Sequence, residues 1–294
     1  MKEKPFSKYQ ILANAVMIIW TLAIILPFIL LFMSSITDEN TLVANGYSFF
    51  PKKFSLASYS YIIKSGGQIL KAYGVSIGVT VVGTLLNVLL SALMAYPLSV
   101  KNLPGRNVMM FFVFFTMLFN GGIVPSYIMW TGTFHIKDTI FAQLLPNFLL
   151  SAWNVMMIRT YFTTSIPDGL YEAAEIDGAS QFTIFWKIVL PLGKPILVTM
   201  GTFAGLAYWN DWTNGLYYIV KNTGLYNVQN LLNQMVQNIQ FLTQSSNSNV
   251  TAAASTIPAT GIQMAIAFVA ILPIMLIFPS VSYTHLRAHE TTLH

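Results

Sequence analysis

Six stretches of this chain, at about 13–34, 74–99, 107–130, 139–160, 193–213 and 260–280, run for roughly 20 or more residues with few or no charges. That pattern constrains the fold more than any other feature. About 20 residues at ~1.5 Å each cross the ~30 Å of a bilayer's hydrocarbon. Inside it every backbone N–H and C=O must be satisfied within the protein, which a helix achieves alone. The charged share of 9% supports this, since soluble domains carry about 25%. The expected fold is all-α and integral to the membrane, with six spans. Gly121, Gly122 and Pro125 are expected to bend the third span, and Pro273 to split the sixth. Basic residues precede the first apolar run. That run is too long for a signal peptide and lacks a small-residue cleavage site, so it reads as a retained helix.

Six spans place both termini on one side, and Lys and Arg near span ends mark the cytoplasmic side. With the N-terminus inside, nine basic residues fall on inner segments and six on outer ones. The expectation is N-in, C-in, with long outer loops at 35–70 and 214–258 and inner loops at 99–107 and 160–192. Absent cysteine excludes disulfides and thiolate metal sites. There is no phosphate-binding loop. Gly193-Lys194 is followed by Pro195, and Ile188 stands where the earlier glycine is needed.

Within the inner loop 160–192, "YEAAEIDGASQFTIFWKIVLPL" holds Glu172, Glu175 and Asp177. One such charge at mid-bilayer costs roughly 2.5–3.5 kcal/mol, so three would cost on the order of 8–10 kcal/mol. The stretch therefore belongs in water or against a partner. Ser165 and Asp168 fit a capping pattern, with Pro167 suited to a first turn. Ile166, Leu170, Ala173, Ala174 and Asp177 share a mostly small, apolar helical face. Gly178 is placed to stop that helix. A second short helix over about 180–190 carries Phe182, Phe185, Trp186 and Ile188, and Pro191 ends it. On these grounds alone, a docking knuckle and a surface-lying amphipathic loop are both open.

The same residues resemble the EAA signature of ABC-importer permeases: Glu172-Ala173-Ala174, three residues, Gly178, nine residues, then Ile188, Leu190 and Pro191. The segments "MLFNGGIVPSYIMW", "LLPNFLLSAWNVMMIRTYFTTSIPDGLYEAA" and "AYWNDW" are similar to the carbohydrate-importer group of those permeases. The resemblance spans about residues 10–280. It implies an ABC-importer permease fold with a coupling loop at 165–191, in a prokaryotic cytoplasmic (inner) membrane. ATP-binding subunits would dock on Glu172, Ala173, Ala174, Asp177 and Gly178, and ATP would be hydrolysed there. This chain would bind no cofactor. A second, different permease subunit, an extracytoplasmic solute-binding protein and the lipid bilayer are the other implied partners. Nucleic acid is not among them. The implied cargo is a carbohydrate, an oligosaccharide that is neutral or weakly acidic.

Other features allow two readings each. Gly74/Gly78 and Gly201/Gly205 are small-residue pairs suited to close helix packing. Trp209, Asn210 and Asp211, with Asn154 in the fourth span, are candidates for the substrate pathway. An interfacial aromatic belt and interhelical hydrogen bonds are their structural alternatives. Residues 281–294, "VSYTHLRAHETTLH", depart from the family pattern and read as a non-native or truncated tail that continues no helix. Its His285, His289 and His294 are not read as a metal site. A membrane-embedded glycan or lipid transferase would need His, Asp and Glu clustered at one face. A secondary transporter would often show inverted repeats. Neither signal is visible, so no catalytic residue is expected.

Overall fold

The computed structural model describes residues 8–64, 66–244 and 259–290. Lys2 and Lys4, residues 245–258 of the second loop expected outside, and His294 with the rest of 291–294 lie outside them. The described chain is helical, and its only β feature is a bridge between Thr37 and Phe54. It divides into two compact units, one formed up to Ile69 and from Leu232–Leu276, the other from Leu70–Leu231 and from Ile277 onward.

In the first unit, α1 (Lys8–Ser35) is a long apolar helix whose side chains are largely exposed. The segment that follows carries α2 (Glu39–Asn45) and α3 (Ala57–Lys64). The Glu39 carboxylate accepts from the backbone N–H groups of Thr260 and Gly261, both at 2.8 Å. It thereby satisfies free donors in the first turn of α15 (Ala259–Glu290). Phe32 meets Phe268 at a centroid distance of 4.9 Å.

In the second unit, α4 (Gly66–Ser99) packs against α12 (Lys194–Trp209). A Cβ on Gly201 would meet Val88 at 3.4 Å, and one on Gly205 would meet Thr84 at 3.3 Å. This pair admits close approach within the chain, whereas nothing lies within 4 Å of a Cβ on Gly74 or Gly78. Gly83 makes the tightest fit on α4, where a Cβ would stand 2.4 Å from the Tyr208 ring. Tyr208 is buried and donates its hydroxyl to the Leu144 carbonyl at 2.8 Å.

Several expected spans take a different form. The third is two helices, α5 (Arg106–Leu118) and α6 (Ile123–Ile128, continued by a π turn Met129–Thr133), at 110° to each other. Gly122, with φ 85°, sits at their junction, as the glycine pair suggested. The fourth is not a continuous helix over 139–160. A short α7 (Phe141–Leu144) gives way to Pro146 and to Asn147 at φ 67°. Helix resumes only at α8 (Ala152–Ser165), capped by Ser151. Pro146 lacks the N–H that a helix interior needs, and Asn147 leaves the right-handed region, so the run cannot propagate. At 14 residues, roughly 21 Å, α8 does not cross a bilayer alone.

Loop 214–258 also holds more structure than its polarity suggested. It contains α13 (Thr213–Tyr218) and the amphipathic α14 (Val228–Gln244). The final helix is not split at Pro273 and continues to Glu290, past the start of the tail expected to be non-helical. Residues 281–290 contain neither Gly nor Pro, so nothing local stops it. Among the described residues, Tyr9–Ser35 and Gly67–Ser99 are each long and apolar enough to cross a membrane. Two bent pairs, Arg106–Leu118 with Ile123–Thr133 and Gln181–Leu192 with Lys194–Trp209, qualify when each pair is taken as one span.

Candidate functional site

The EAA-like stretch folds as a knuckle between α8 and α12. Ser165 ends α8 instead of capping the next helix. Ile166 is extended before Pro167, as a residue preceding proline prefers, and α9 (Asp168–Ile176) starts after it. Asp168 stands in its first turn, where a carboxylate complements the helix dipole.

Helix α9 closes with a Schellman turn. Gly178 adopts φ 75° and donates its N–H to the Glu175 carbonyl at 3.0 Å. Ala179 donates to the Ala174 carbonyl at 2.9 Å. Ser180 then caps α10 (Gln181–Ile184) by accepting from the Thr183 N–H at 3.2 Å. A π turn (Phe185–Val189) and α11 (Leu190–Leu192) carry the chain on, so Pro191 does not end the helical run. This arm bends by 78° into α12.

The alanine pair divides. Ala174 is buried with Ile166, Ile184, Phe185 and Val189, while Ala173 is exposed. Glu172, Asp177 and Gly178 are exposed as well. Ile176 is 87% exposed, alongside the exposed Leu170, Phe182 and Trp186. A charged loop that leaves four large apolar groups uncovered has the form of a docking surface. Ile176 escaped the sequence reading, although Leu170, Ala173 and Ile176 recur at i, i+3 and i+6 on one face of α9.

Behind the knuckle, a groove of about 180 Å³ separates α9 from the end of α4, with Ser99, Lys101, Asp168, Tyr171 and Glu175 among its walls. Lys101 pairs with Asp168 across it. Both are more than half exposed, so the pair adds little to stability. Burial pushes the Tyr171 phenol above its ordinary value. Gln181 donates to Glu175 at 2.8 Å and accepts the Tyr96 hydroxyl at 2.6 Å.

The pathway candidates occupy different settings. Asn154 is buried and donates to Asn87 Oδ1 at 2.7 Å, while Asn87 donates to the Phe148 carbonyl at 2.6 Å. These bonds join α8, α4 and the broken segment between them. Trp209 is buried, 6.2 Å from the Tyr73 ring, and Asn210 is exposed. Asp211 is buried. Its Oδ1 accepts from Thr213 and Asn214, which starts α13. Its carbonyl accepts from Asn227 at 2.6 Å.

Asn227 also donates to Gln143, whose amide donates to the Leu225 carbonyl. These buried amides tie the chain after α12 to the region around α7. The sequence pointed to amide richness without showing which amides turn inward. Nearby, Asp138 accepts backbone N–H bonds from Lys221, Val220 and Asn222 at 2.7, 2.7 and 3.2 Å. Those donors, Lys221 foremost, hold its carboxyl below the usual carboxylate range. Tyr127 and Tyr218 stack at 5.8 Å beside a cleft of about 280 Å³ that Ile123, Val124 and Tyr217 complete. Among the described residues no group of three or more His, Asp or Glu is gathered as metal ligands would be.

Comparison with known proteins covers both the loop and its surroundings. Residues 79–287 match the family described as binding-protein-dependent transport system inner membrane component. The chain is 35% identical over 255 residues to Protein LplC of Bacillus subtilis (strain 168), covering 87% of this chain and 84% of that protein. It is 34% identical over 271 residues to the polygalacturonan/rhamnogalacturonan transport system permease protein YtcP of the same organism, covering 92% of each. It also resembles one chain of a crystal structure of a bacterial ABC transporter involved in the import of the acidic polysaccharide alginate. There the TM-score is 0.78 at 25% identity, covering 95% of this chain and 99% of that one.

Proposed function

This chain belongs to the family of binding-protein-dependent transport system inner membrane components, and from that premise we propose that it is the membrane-spanning permease subunit of an ATP-driven oligosaccharide importer. The observation that carries this reading is the knuckle. It joins the complete EAA pattern to a Schellman-closed turn that leaves Leu170, Ile176, Phe182 and Trp186 uncovered in a charged loop. ATP-binding subunits dock there, with Glu172, Ala173, Asp177 and Gly178 at the contact and Ala174 fixing the knuckle from behind. ATP is bound and hydrolysed on those subunits, and no catalytic step is assigned to this chain. A solute-binding protein delivers cargo to the outer loops, and a second, different permease subunit completes the pathway.

The six proposed spans are α1, α4, the bent α5–α6 pair, α8 with the broken segment before it, α12 and α15, with both termini in the cytoplasm. Cargo of the oligosaccharide class is supported by similar proteins, one named for polygalacturonan/rhamnogalacturonan transport and one a transporter involved in the import of the acidic polysaccharide alginate. Asn210, exposed at the end of α12, is the pathway candidate able to touch cargo directly. Trp209, Asp211 and Asn154 act from buried positions. Uptake into vesicles holding the assembled complex, across neutral and uronate-bearing oligosaccharides, amino acids and peptides, tests the reading. Uptake of oligosaccharides that requires ATP and the binding protein is expected. Uptake of amino acids or peptides alone would overturn the cargo assignment.

A further inference from the structure

We propose that Tyr96 is a positioning residue that fixes the knuckle to α4, and that movement of the docked knuckle enters α4 through it. The proposal rests on reading the knuckle as the ATPase-docking element. Helices α8 and α12 join the knuckle covalently, so they move with it by necessity. Helix α4 lies about 70 residues away in sequence and follows only through side-chain contacts. Among them, Tyr96, buried near the end of α4, touches both arms of the knuckle.

The Tyr96 ring lies 6.5 Å from Tyr171 on α9, nearly parallel to it, and 5.4 Å from Phe185 on the arm beyond Gly178. One side chain therefore packs against both arms of the knuckle. Its hydroxyl donates to Gln181 Oε1 at 2.6 Å, and Gln181 Nε2 donates to Glu175 Oε1 at 2.8 Å. Both ends of the Gln181 amide are thus engaged, so it cannot turn without losing both bonds. Ala92 and Ala95, fully buried on α4, belong to the same apolar core. Of the other links near the end of α4, Arg159 donates to the Leu98 carbonyl at 3.2 Å from α8 and not from the knuckle, while Lys101 to Asp168 is exposed and adds little.

Removing the hydroxyl alone separates positioning from packing. Tyr96→Phe keeps the ring contacts with Tyr171 and Phe185 and releases Gln181 Oε1, leaving Gln181 held by Glu175 alone. The expected result is a complex that assembles and hydrolyses ATP in response to binding protein, while cargo imported per ATP falls roughly fivefold, the scale of one net hydrogen bond. Gln181→Leu, at an exposed position, breaks the Tyr96 bond together with the Glu175 bond and should lower the ratio at least as far. Adding Tyr96→Phe to it should lower the ratio no further, because the shared bond is already gone. Gln181→Glu sets two carboxylates together. Adding Glu175→Gln rebuilds the chain with donor and acceptor exchanged and should restore the ratio.

A purely structural role would lower assembly and leave cargo per ATP in the assembled fraction unchanged. If Tyr96→Phe fails to assemble, Gln181→Leu carries the test. Wild-type cargo per ATP in either assembled variant would overturn the proposal. Failure of the unmodified complex to show binding-protein-stimulated hydrolysis and import would instead overturn the reading on which it rests.

Discussion

Gly178 has open space where a Cβ would stand, yet its φ of 75° closes the Schellman turn of α9. Steric room does not help a β-branched residue there, because the strain is in the backbone, about 1–2 kcal/mol or more. Gly178→Val should uncouple ATP hydrolysis from import, while Gly178→Asn, which tolerates that region, should retain more coupling. Equal coupling in both variants would count against the account. Gly83 presents the opposite case, with ordinary backbone but no room. A methyl there would press on a Tyr208 ring pinned by its bond to Leu144. Gly83→Ala should lower stability by about 1–3 kcal/mol, whereas Gly74→Ala, which meets nothing, should be neutral or slightly stabilising. Thermal unfolding in detergent compares the two. Asp138 adds a pH-dependent contact. Its folded pKa is depressed, so its contribution is present above the unfolded carboxylate range and lost as pH falls through the lowered value. The stability gap between the native chain and Asp138→Asn should be open at neutral pH and narrow as pH falls below the unfolded carboxylate range.

At the scale of elements, long apolar runs were legible and interruptions were only partly so. Helix α1 and the core of α4 follow from hydropathy alone, and Gly121-Gly122 marked a true bend. The break at Pro146 and Asn147 was hidden because apolar residues surround it on both sides. Composition also concealed which face of α9 turns inward. Ala173 and Ala174 are chemically the same, and only packing against Ile184 and Phe185 distinguishes them. Asn154 illustrates a similar limit: a polar residue in an apolar run can line a path or bond a neighbour. Here it donates to Asn87, so Asn154→Leu leaves the buried Asn87 Oδ1 without that donor. A loss of about 1–3 kcal/mol is expected. Unchanged stability with impaired transport would move Asn154 from a structural role to the pathway.

For the whole molecule, the EAA spacing marked the proposed docking loop in sequence, and the fold gives that stretch a shape: two arms about Gly178, uncovered apolar groups, and α4 packed behind it. Side selection by basic residues, the exposed apolar groups and the family match all support the proposal that this loop meets an ATPase in the cytoplasm. Because the chain has no cysteine, one introduced thiol reports without background. Ile176→Cys, carrying a photoactivatable cross-linker in the assembled complex, measures that contact directly. The account predicts a covalent product with the ATP-binding subunit, and no reaction of the thiol with a membrane-impermeant reagent added outside intact cells. Labelling from outside, or an assembled and active complex in which residue 176 never reaches the ATP-binding subunit, would contradict it.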